Sequence, residues 1–308
     1  MDVVVDRFRA MGTDVEVTVV DGDSHLLTVA RDRIRDLEQR WSRFLPASEV
    51  SRVNRALGAP IRVSAETVTL MARAREGMEL TGGRFDPLQL TALEAIGYRV
   101  SFERLDCPSR AASGAPNPSS SGDAIDVDAA RSTVRLTGSA GFDPGGIGKG
   151  LAADFVAEEL RAQGVAGVCI NIGGDVRVSG VAPSGDAWIV AVRDRPDDDP
   201  VAYVSIAEGA VATTSRSRRR WQTADGVEHH HVIDPLTRTS AVTPVRHATA
   251  IASEGWRAEV LSKVAFLDRV AGIDFAERLG ATAMVATDTG CAVGPRWSQF
   301  ARVLEVVA

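Results

Sequence analysis

The chain opens on two short stretches in which apolar residues alternate or run together, Val3–Phe8 and Val15–Val20, on either side of Met11-Gly12-Thr13. Runs of that length around a glycine predict two strands joined by a turn. The period then changes. Leu26, Ala30, Ile34, Leu37 and Trp41 recur at helical spacing, which predicts one face of a long helix opening near Ser24. Pro46 lies beyond its end, and Ser42 to Asn54 reads as a polar connecting loop carrying single apolar residues. A second helix is predicted from a Ser64 cap through Val68, Met71 and Met78, with Gly82-Gly83 stopping it.

Beyond residue 124 the pattern is mainly that of strands. Ile125–Leu136 supplies short strand-like pieces, and Val165–Ile172 is a mostly apolar run ending in Asn171-Ile172-Gly173-Gly174-Asp175. That ending would place polar atoms at a sheet edge. Trp188–Val192 and Ala202–Ile206 read as strands paired across an acidic loop around Asp197-Asp198-Asp199-Pro200. Further strands are predicted at Val211–Ser215, His247–Ala252, Ala281–Ala286 and Phe300–Val307, and helices at Trp256–Phe266 and Ile273–Leu279. Within the first of these helices Glu259 precedes Lys263 by four residues, the order of a surface ion pair worth about 0.3–0.5 kcal/mol.

One stretch fits neither strand nor helix, namely Asp143-Pro144-Gly145-Gly146-Ile147-Gly148-Lys149-Gly150. It runs directly into an amphipathic segment marked by Leu151, Phe155 and Leu160 and closed by Gly164. Glycines at a helix start let backbone N–H groups and the positive end of the dipole approach an anion, and Lys149 adds a point charge. Asp143 is a hard acceptor suited to an amide or a ribose hydroxyl. The local chemistry reads as a phosphate cradle, with an ordinary glycine-rich turn as the alternative. A P-loop is excluded, because its first glycine is replaced by Asp143 and its Ser or Thr by Gly150. A dinucleotide fingerprint on Gly148, Gly150 and Ala153 is weak, since no convincing strand precedes it.

Composition narrows the class. A 308-residue chain with 44% hydrophobic and 25% charged residues can bury a substantial core as one large domain or two small ones. The net charge of −6 argues against general nucleic-acid binding, although Arg216-Ser217-Arg218-Arg219-Arg220 is locally basic. Three scattered cysteines imply neither a disulfide framework nor a metal spacing. No apolar run is long enough to span a membrane, and the N-terminus lacks the features of an export signal, so a cytoplasmic protein is expected. Residues 107–123, rich in Pro, Ser, Ala and Gly, are expected to be a flexible insertion. His229, His230 and His231 are adjacent in an extended segment, where successive side chains alternate in direction and do not all converge on one metal.

Taken in order, these segments resemble one family, the FAD:protein FMN transferases of the ApbE family. The resemblance runs from Met11-Gly12-Thr13 through Phe44 and Ser48-Glu49-Val50-Ser51-Arg52-Val53-Asn54 to Gly83-Arg84-Phe85-Asp86. It continues through the Asp143–Gly150 stretch, Asn171–Asp175, Ala212–Ser215, His231–Pro235 and Ala258–Leu261. It implies a single α+β domain over residues 1–308, with mixed or antiparallel sheets, helices and a central flavin cleft. The implied activity moves FMN from FAD onto a Thr or Ser hydroxyl of an acceptor protein through a phosphoester bond, releasing AMP with Mg²⁺ as cofactor. By matched position, FAD would contact Met11, Phe44, Arg84, Phe85, Asp86, Asp143, Lys149, His231 and Ile233. His231 would accept the proton of the nucleophile, Asp143 and Lys149 would share the catalytic work, and the carbonyl of Gly146 would face the metal.

The chain departs from the pattern where the family places an Asp and a Thr as metal ligands. Here those positions hold Glu259 and Lys263. Lysine does not ligate a metal while protonated. Either a weakened Mg²⁺ site persists on Glu259, the reading preferred at this level, or Lys263 supplies the positive charge itself. A flavin carrier, or an FAD pyrophosphatase yielding FMN and AMP, is the alternative function. Arg238 stands where the family commonly has glycine, and reads as a surface residue or as an added cation.

Overall fold

The computed structural model describes residues 1–105, 124–138, 141–195 and 197–302. The insertion expected at 107–123 lies outside the described residues, as does the end of the strand expected at 300–307. In chain order the elements begin with strands β1 (Val3–Ala10) and β2 (Thr13–Val20) and helices α1 (His25–Trp41) and α2 (Glu49–Arg55). Next come β3 (Ile61–Arg62), α3 (Ala65–Leu80), α4 (Leu90–Ala95), β4 (Ile125–Asp128) and β5 (Thr133–Leu136). A 3-10 turn at Pro144–Gly146 then leads into α5 (Gly148–Ala162). Strands β6 (Gly167–Ile172), β7 (Asp175–Gly180), β8 (Trp188–Val192), β9 (Ala202–Ile206) and β10 (Gly209–Ser215) follow. After them come the short strands β11 (Arg220–Gln222), β12 (Glu228–His230), β13 (Ile233–Asp234) and β14 (Thr239–Ser240). The chain closes with β15 (Val245–Ala252), α6 (Gly255–Asp268), α7 (Val270–Arg278), β16 (Thr282–Thr287), β17 (Gly290–Val293) and β18 (Ala301–Arg302).

These elements form two compact units. The first comprises Met1–Arg35, Lys149–Ser217 and Pro244–Ala308, and the second Asp36–Gly148 and Arg218–Thr243. The first unit is built on an eight-stranded sheet of order β1-β2-β6-β7-β10-β15-β16-β17. Strands close in sequence pair as hairpins, and every pairing among the described residues is antiparallel. The sheets are therefore antiparallel rather than mixed.

The two faces of this sheet differ in side-chain size, and the register shows why. Ala210 pairs with Ala252, Ala212 with Ala250 and Thr214 with Ala248, so one face of β10 and β15 is lined by small residues. Helix α6 packs on these two strands. The Thr214 hydroxyl lies 2.7 Å from that of Ser262 and identifies the small-residue face as the one α6 covers. The opposite face presents Val211, Ile251, Val176 and Val178, which pack with Trp188, Val190, Val204 and Ile206 of the small sheet β18-β9-β8 and with Trp297. Strands β6 and β7 lie in the interior of the eight-stranded sheet, not at its edge. The polar Gly173-Gly174 turn sits instead at the ends of two central strands. Gly173 and Gly174 both have positive φ (65° and 93°), which a two-residue hairpin demands.

In the second unit, α2 and α3 pack on the sheet β3-β5-β4. The region expected to be a polar loop after α1 contains α2, because Ser48 caps it by accepting from the Ser51 N–H at 3.0 Å and Val50 and Val53 are buried. Glu49 at the start of α2 also accepts from the Ser64 N–H at 2.9 Å and the Ser64 hydroxyl at 2.7 Å, fixing the cap of α3. Asn54 at the far end of α2 reaches Phe142. Its side-chain amide donates to the Phe142 carbonyl at 2.9 Å and accepts from the Phe142 N–H at 2.8 Å.

Candidate functional site

In the first unit, four charged side chains gather where α5, β7 and α6 begin. Lys149 stands in the first turn of α5, Asp175 opens β7 after the Gly173-Gly174 turn, and Glu259 and Lys263 are one turn apart on α6. The Lys149 ammonium donates to Asp175 and, at 2.7 Å, to Oε1 of Glu259. Lys263 meets the same Oε1 at 3.5 Å and the Glu259 carbonyl at 3.3 Å. The other carboxylate oxygen of Glu259 accepts from the Gly150 N–H at 2.9 Å. Glu259 is only 1% exposed, so the pairing expected to be a surface ion pair is part of a buried cluster. A helix interior that is apolar on nearly every side leaves no solvated face for that pair.

Burial acts against every charge here, and the partners decide the outcome. For Lys149 the downward push of burial is overcome by Asp175 and Glu259, which hold its ammonium above the ordinary lysine range. Burial works to raise Glu259, but Lys149 and Lys263 carry it below the usual carboxylate range. Burial pushes Asp175 up against the pull of Lys149. Burial also takes Lys263 below the ordinary lysine range, helped by repulsion from Lys149 and resisted by Glu259.

The starts of α5 and α6 are locked to each other. Glu259 on α6 receives the Gly150 N–H of α5, while Asp154 on α5 accepts from the Gly255 N–H at 2.7 Å and the Trp256 N–H at 3.0 Å. Each helix thus caps the other with a carboxylate. The approach leaves no room for side chains at the crossing. A Cβ on Gly150 would lie 2.3 Å from the Gly255 carbonyl oxygen, and one on Gly255 would lie 2.4 Å from that of Gly150. Burial pushes the Asp154 carboxyl up to about 7, against the two amides and Arg177.

The glycine stretch is also narrower as an anion cradle than its sequence suggests. The Gly145 N–H goes to the Asp143 carboxylate at 2.7 Å, that of Ile147 to the Pro144 carbonyl at 3.1 Å, and that of Gly150 to Glu259.

In the second unit the tripeptides Phe85-Asp86-Pro87 and Phe142-Asp143-Pro144 are neighbours in space. The Asp143 N–H donates to the Pro87 carbonyl at 2.8 Å, and the Leu90 N–H to Gly141 at 3.1 Å. Asp143 is held by the Arg43 guanidinium at 2.5 Å. Arg43 also lies over the rings of Phe44 and Tyr98, 4.1 and 4.7 Å from their centroids. Tyr98 in turn packs on Trp221 and Trp221 stacks on His229. Phe85 and Asp86 are buried, with the Asp86 carboxylate accepting from the Leu88 N–H at 2.8 Å and from Gln89. Burial raises Asp86 despite the Leu88 amide and the nearby Arg238.

Arg84 pairs with Asp234 at 2.5 Å. Ile233 is buried beside Tyr98 and Trp221, and His231 is half-buried between β12 and β13. His230 donates through Nε2 to the Ala241 carbonyl at 3.0 Å if Nδ1 accepts from the Val232 N–H at 3.3 Å, the one tautomer that serves both. His229 and His230 thus have separate partners. Met11 occupies the β1–β2 turn of the first unit with φ +53°.

Arg43, Tyr98 and Asp154 carry much of this geometry, and no local pattern singled them out. Arg238, read from sequence as exposed or as an added cation, is 6% exposed and donates to Thr91 at 3.1 Å, at a backbone φ of +56°. A positive φ explains why glycine suits that position.

The side chains at two positions matched to metal ligands, Glu259 and Lys263, do not suit a divalent cation. Among the described residues no group of three or more His, Cys, Asp and Glu side chains could hold a metal. Both oxygens of Glu259 are engaged, and its nearest cationic neighbours are two ammonium groups that would repel Mg²⁺.

An ammonium held between two carboxylates at a glycine-rich helix start is the central feature of this antiparallel α+β fold. The sequence profile of the ApbE family matches residues 11–285, and the chain belongs to that family. It is 29% identical over 211 residues to the FAD:protein FMN transferase of Chlamydia trachomatis, covering 68% of this chain. That match spans 64% of the chlamydial protein's length, under two thirds. The chain is also 27% identical over 243 residues to the FAD:protein FMN transferase of Vibrio cholerae, covering 74% of this chain and 70% of the other. Among solved structures, the ApbE protein of Thermotoga maritima superposes with a TM-score of 0.86 at 26% identity, covering 98% of this chain and 100% of that one. No helix among the described residues is long and apolar enough to cross a membrane.

Proposed function

We propose that this protein is an FAD:protein FMN transferase, which moves FMN from FAD to a Thr or Ser hydroxyl of an acceptor protein. Family membership and the names of its curated relatives support the reaction class. The observation that carries the reading to this chain is Lys149, a cation fixed at the glycine-rich start of α5 by Asp175 and Glu259.

In the proposed step the acceptor hydroxyl oxygen bonds to the FMN phosphorus. The bond from that phosphorus to the bridging oxygen breaks, and AMP leaves with the electron pair. The hydroxyl proton passes to His231, an imidazole being the side chain best suited to exchange a proton near neutral pH. Lys149 offsets negative charge on the phosphate oxygens, the main demand of phosphoryl transfer. Asp143, oriented by Arg43, and the buried Phe85-Asp86 pair serve FAD binding. So do Met11, Phe44, Arg84 and Ile233. Mg²⁺ is given no part, because the side chains at the matched positions do not suit it.

The test is incubation of the protein with FAD and a polypeptide carrying a Thr or Ser acceptor. Equal yields of flavin-bearing polypeptide and AMP are expected. FMN and AMP formed equally well without acceptor would instead make the protein a pyrophosphatase, and binding of FAD with no product would make it a carrier.

A further inference from the structure

We propose that Lys263 is a resident cation of the flavin-nucleotide site, taking the place of a divalent metal ion, so that the protein binds the diphosphate of FAD without added metal. This rests on the reading of the protein as an FAD-using transferase.

The argument begins with how the four charged groups share their contacts. Lys149 is satisfied inside the protein, since it has a carboxylate on each side, Asp175 and Glu259. Lys263 is not balanced in that way. Its hydrogen bonds are to a carboxylate oxygen already taken by Lys149, at 3.5 Å, and to a backbone carbonyl at 3.3 Å. Both are long for a charge-assisted bond, which is ordinarily about 2.7–2.9 Å. An ammonium has three N–H donors. Lys263 therefore keeps donor capacity for an anion stronger than a shared carboxylate oxygen. Its side chain is 19% exposed and that of Lys149 22%, whereas that of Glu259 is 1% exposed, so an arriving ligand meets the two lysines and not the carboxylate.

Charge leads to the same conclusion. Two ammonium groups and two carboxylates are formally neutral together, so the cluster has no surplus negative charge to attract a divalent cation. A diphosphate brings negative charge, and Lys263, less tightly held than Lys149, is the ammonium with donors to spare for it. During transfer, negative charge builds on the departing AMP phosphate as the phosphorus–oxygen bond breaks, and an ammonium close to that group offsets it without a metal. A lysine at this position is then a built component, where a threonine would have been a neutral ligand waiting for an ion.

The experiment measures FAD binding to the full-length protein by quenching of flavin fluorescence, once in chelator and once in millimolar Mg²⁺. The wild type, Lys263→Thr and Lys263→Arg are compared, and circular dichroism shows that each variant is folded. The wild type is expected to bind FAD in chelator, with affinity changing less than about threefold when Mg²⁺ is added. Lys263→Thr should lose about 10- to 100-fold in chelator, the value of a charge-assisted bond, and recover part of it with Mg²⁺. Lys263→Arg should retain metal-free binding. Wild-type binding that appears only with Mg²⁺ would overturn the proposal and leave the transferase reading standing, as would a folded Lys263→Thr that matches the wild type in chelator. No binding by the wild type under either condition would instead remove the FAD reading, and this proposal with it.

Discussion

Asn54 grips Phe142 from both sides, its amide nitrogen donating to the Phe142 carbonyl and its amide oxygen accepting from the Phe142 N–H. The next residue is Asp143, so this clamp sets the backbone from which the glycine stretch departs. Only a carboxamide supplies both halves of the contact. Asn54→Ala should destabilise the protein by about 2–3 kcal/mol, because two half-buried backbone groups lose their partners. Asn54→Asp should cost at least as much, since a carboxylate cannot donate to the Phe142 carbonyl. Urea unfolding midpoints check both, and a loss below about 0.5 kcal/mol would show that the clamp has no structural weight.

Lys149 has the opposite character, a cation that bridges two buried acids. Lys149→Met leaves Asp175 and Glu259 close together without it, and the expected cost is about 3–5 kcal/mol. Asp175→Asn removes one of the stranded charges. In the Lys149→Met background it should therefore be stabilising, while in the wild type it is neutral or destabilising. A double-mutant cycle in denaturant reads this sign reversal, and additive effects would refute the shared dependence.

The crossing of α5 and α6 leaves no space for a methyl group. Gly150→Ala and Gly255→Ala each force a Cβ to within 2.4 Å of the facing carbonyl oxygen or closer. Each should cost about 1–3 kcal/mol and should loosen the Gly150–Glu259 contact. Thermal unfolding of the two variants measures the cost, and wild-type stability in either would contradict the close approach.

Asp154 gives the protein a pH dependence of definite sign. Its folded value of about 7 lies above the ordinary 3.8, so the folded state holds this proton more tightly than the unfolded chain. The stabilisation is complete below about pH 4 and is lost as the pH rises through about 7, at no more than about 1.4 kcal/mol per unit. Asp154→Asn has no such proton. The stability of the wild type relative to this variant should therefore decline between about pH 4 and about pH 7, as denaturant titrations at four pH values will record. A constant difference would mean that Asp154 does not titrate in that range.

How far the sequence reached depends on whether an interaction is local. The β1–β2 hairpin, helix α1, helix α3 with its Ser64 cap, and the helix after the glycine stretch all follow from periodicity and punctuation within a few turns of chain. Helix α2 was hidden because Pro46 and a run of polar residues resemble a loop, and its cap at Ser48 is decisive only once Val50 and Val53 are seen to be buried. Spacing placed Glu259 and Lys263 on one face of α6 but did not say that this face looks inward. Arg43 has its partners at Asp143 and Tyr98, far along the chain, so nothing beside it in sequence marks its role. The candidate site was legible as a set of segments, and its electrostatics were not, because they arise where distant segments meet.

The most direct measurement uses FAD labelled separately in its flavin half and in its adenylate half, with the wild-type protein and a Thr- or Ser-bearing acceptor polypeptide. The account predicts that the flavin label becomes acid-stable on an acceptor hydroxyl while the adenylate label is released as AMP in equal amount, with Lys149→Met abolishing both. Adenylate label on the polypeptide, or no label on it while FAD remains intact, would contradict it.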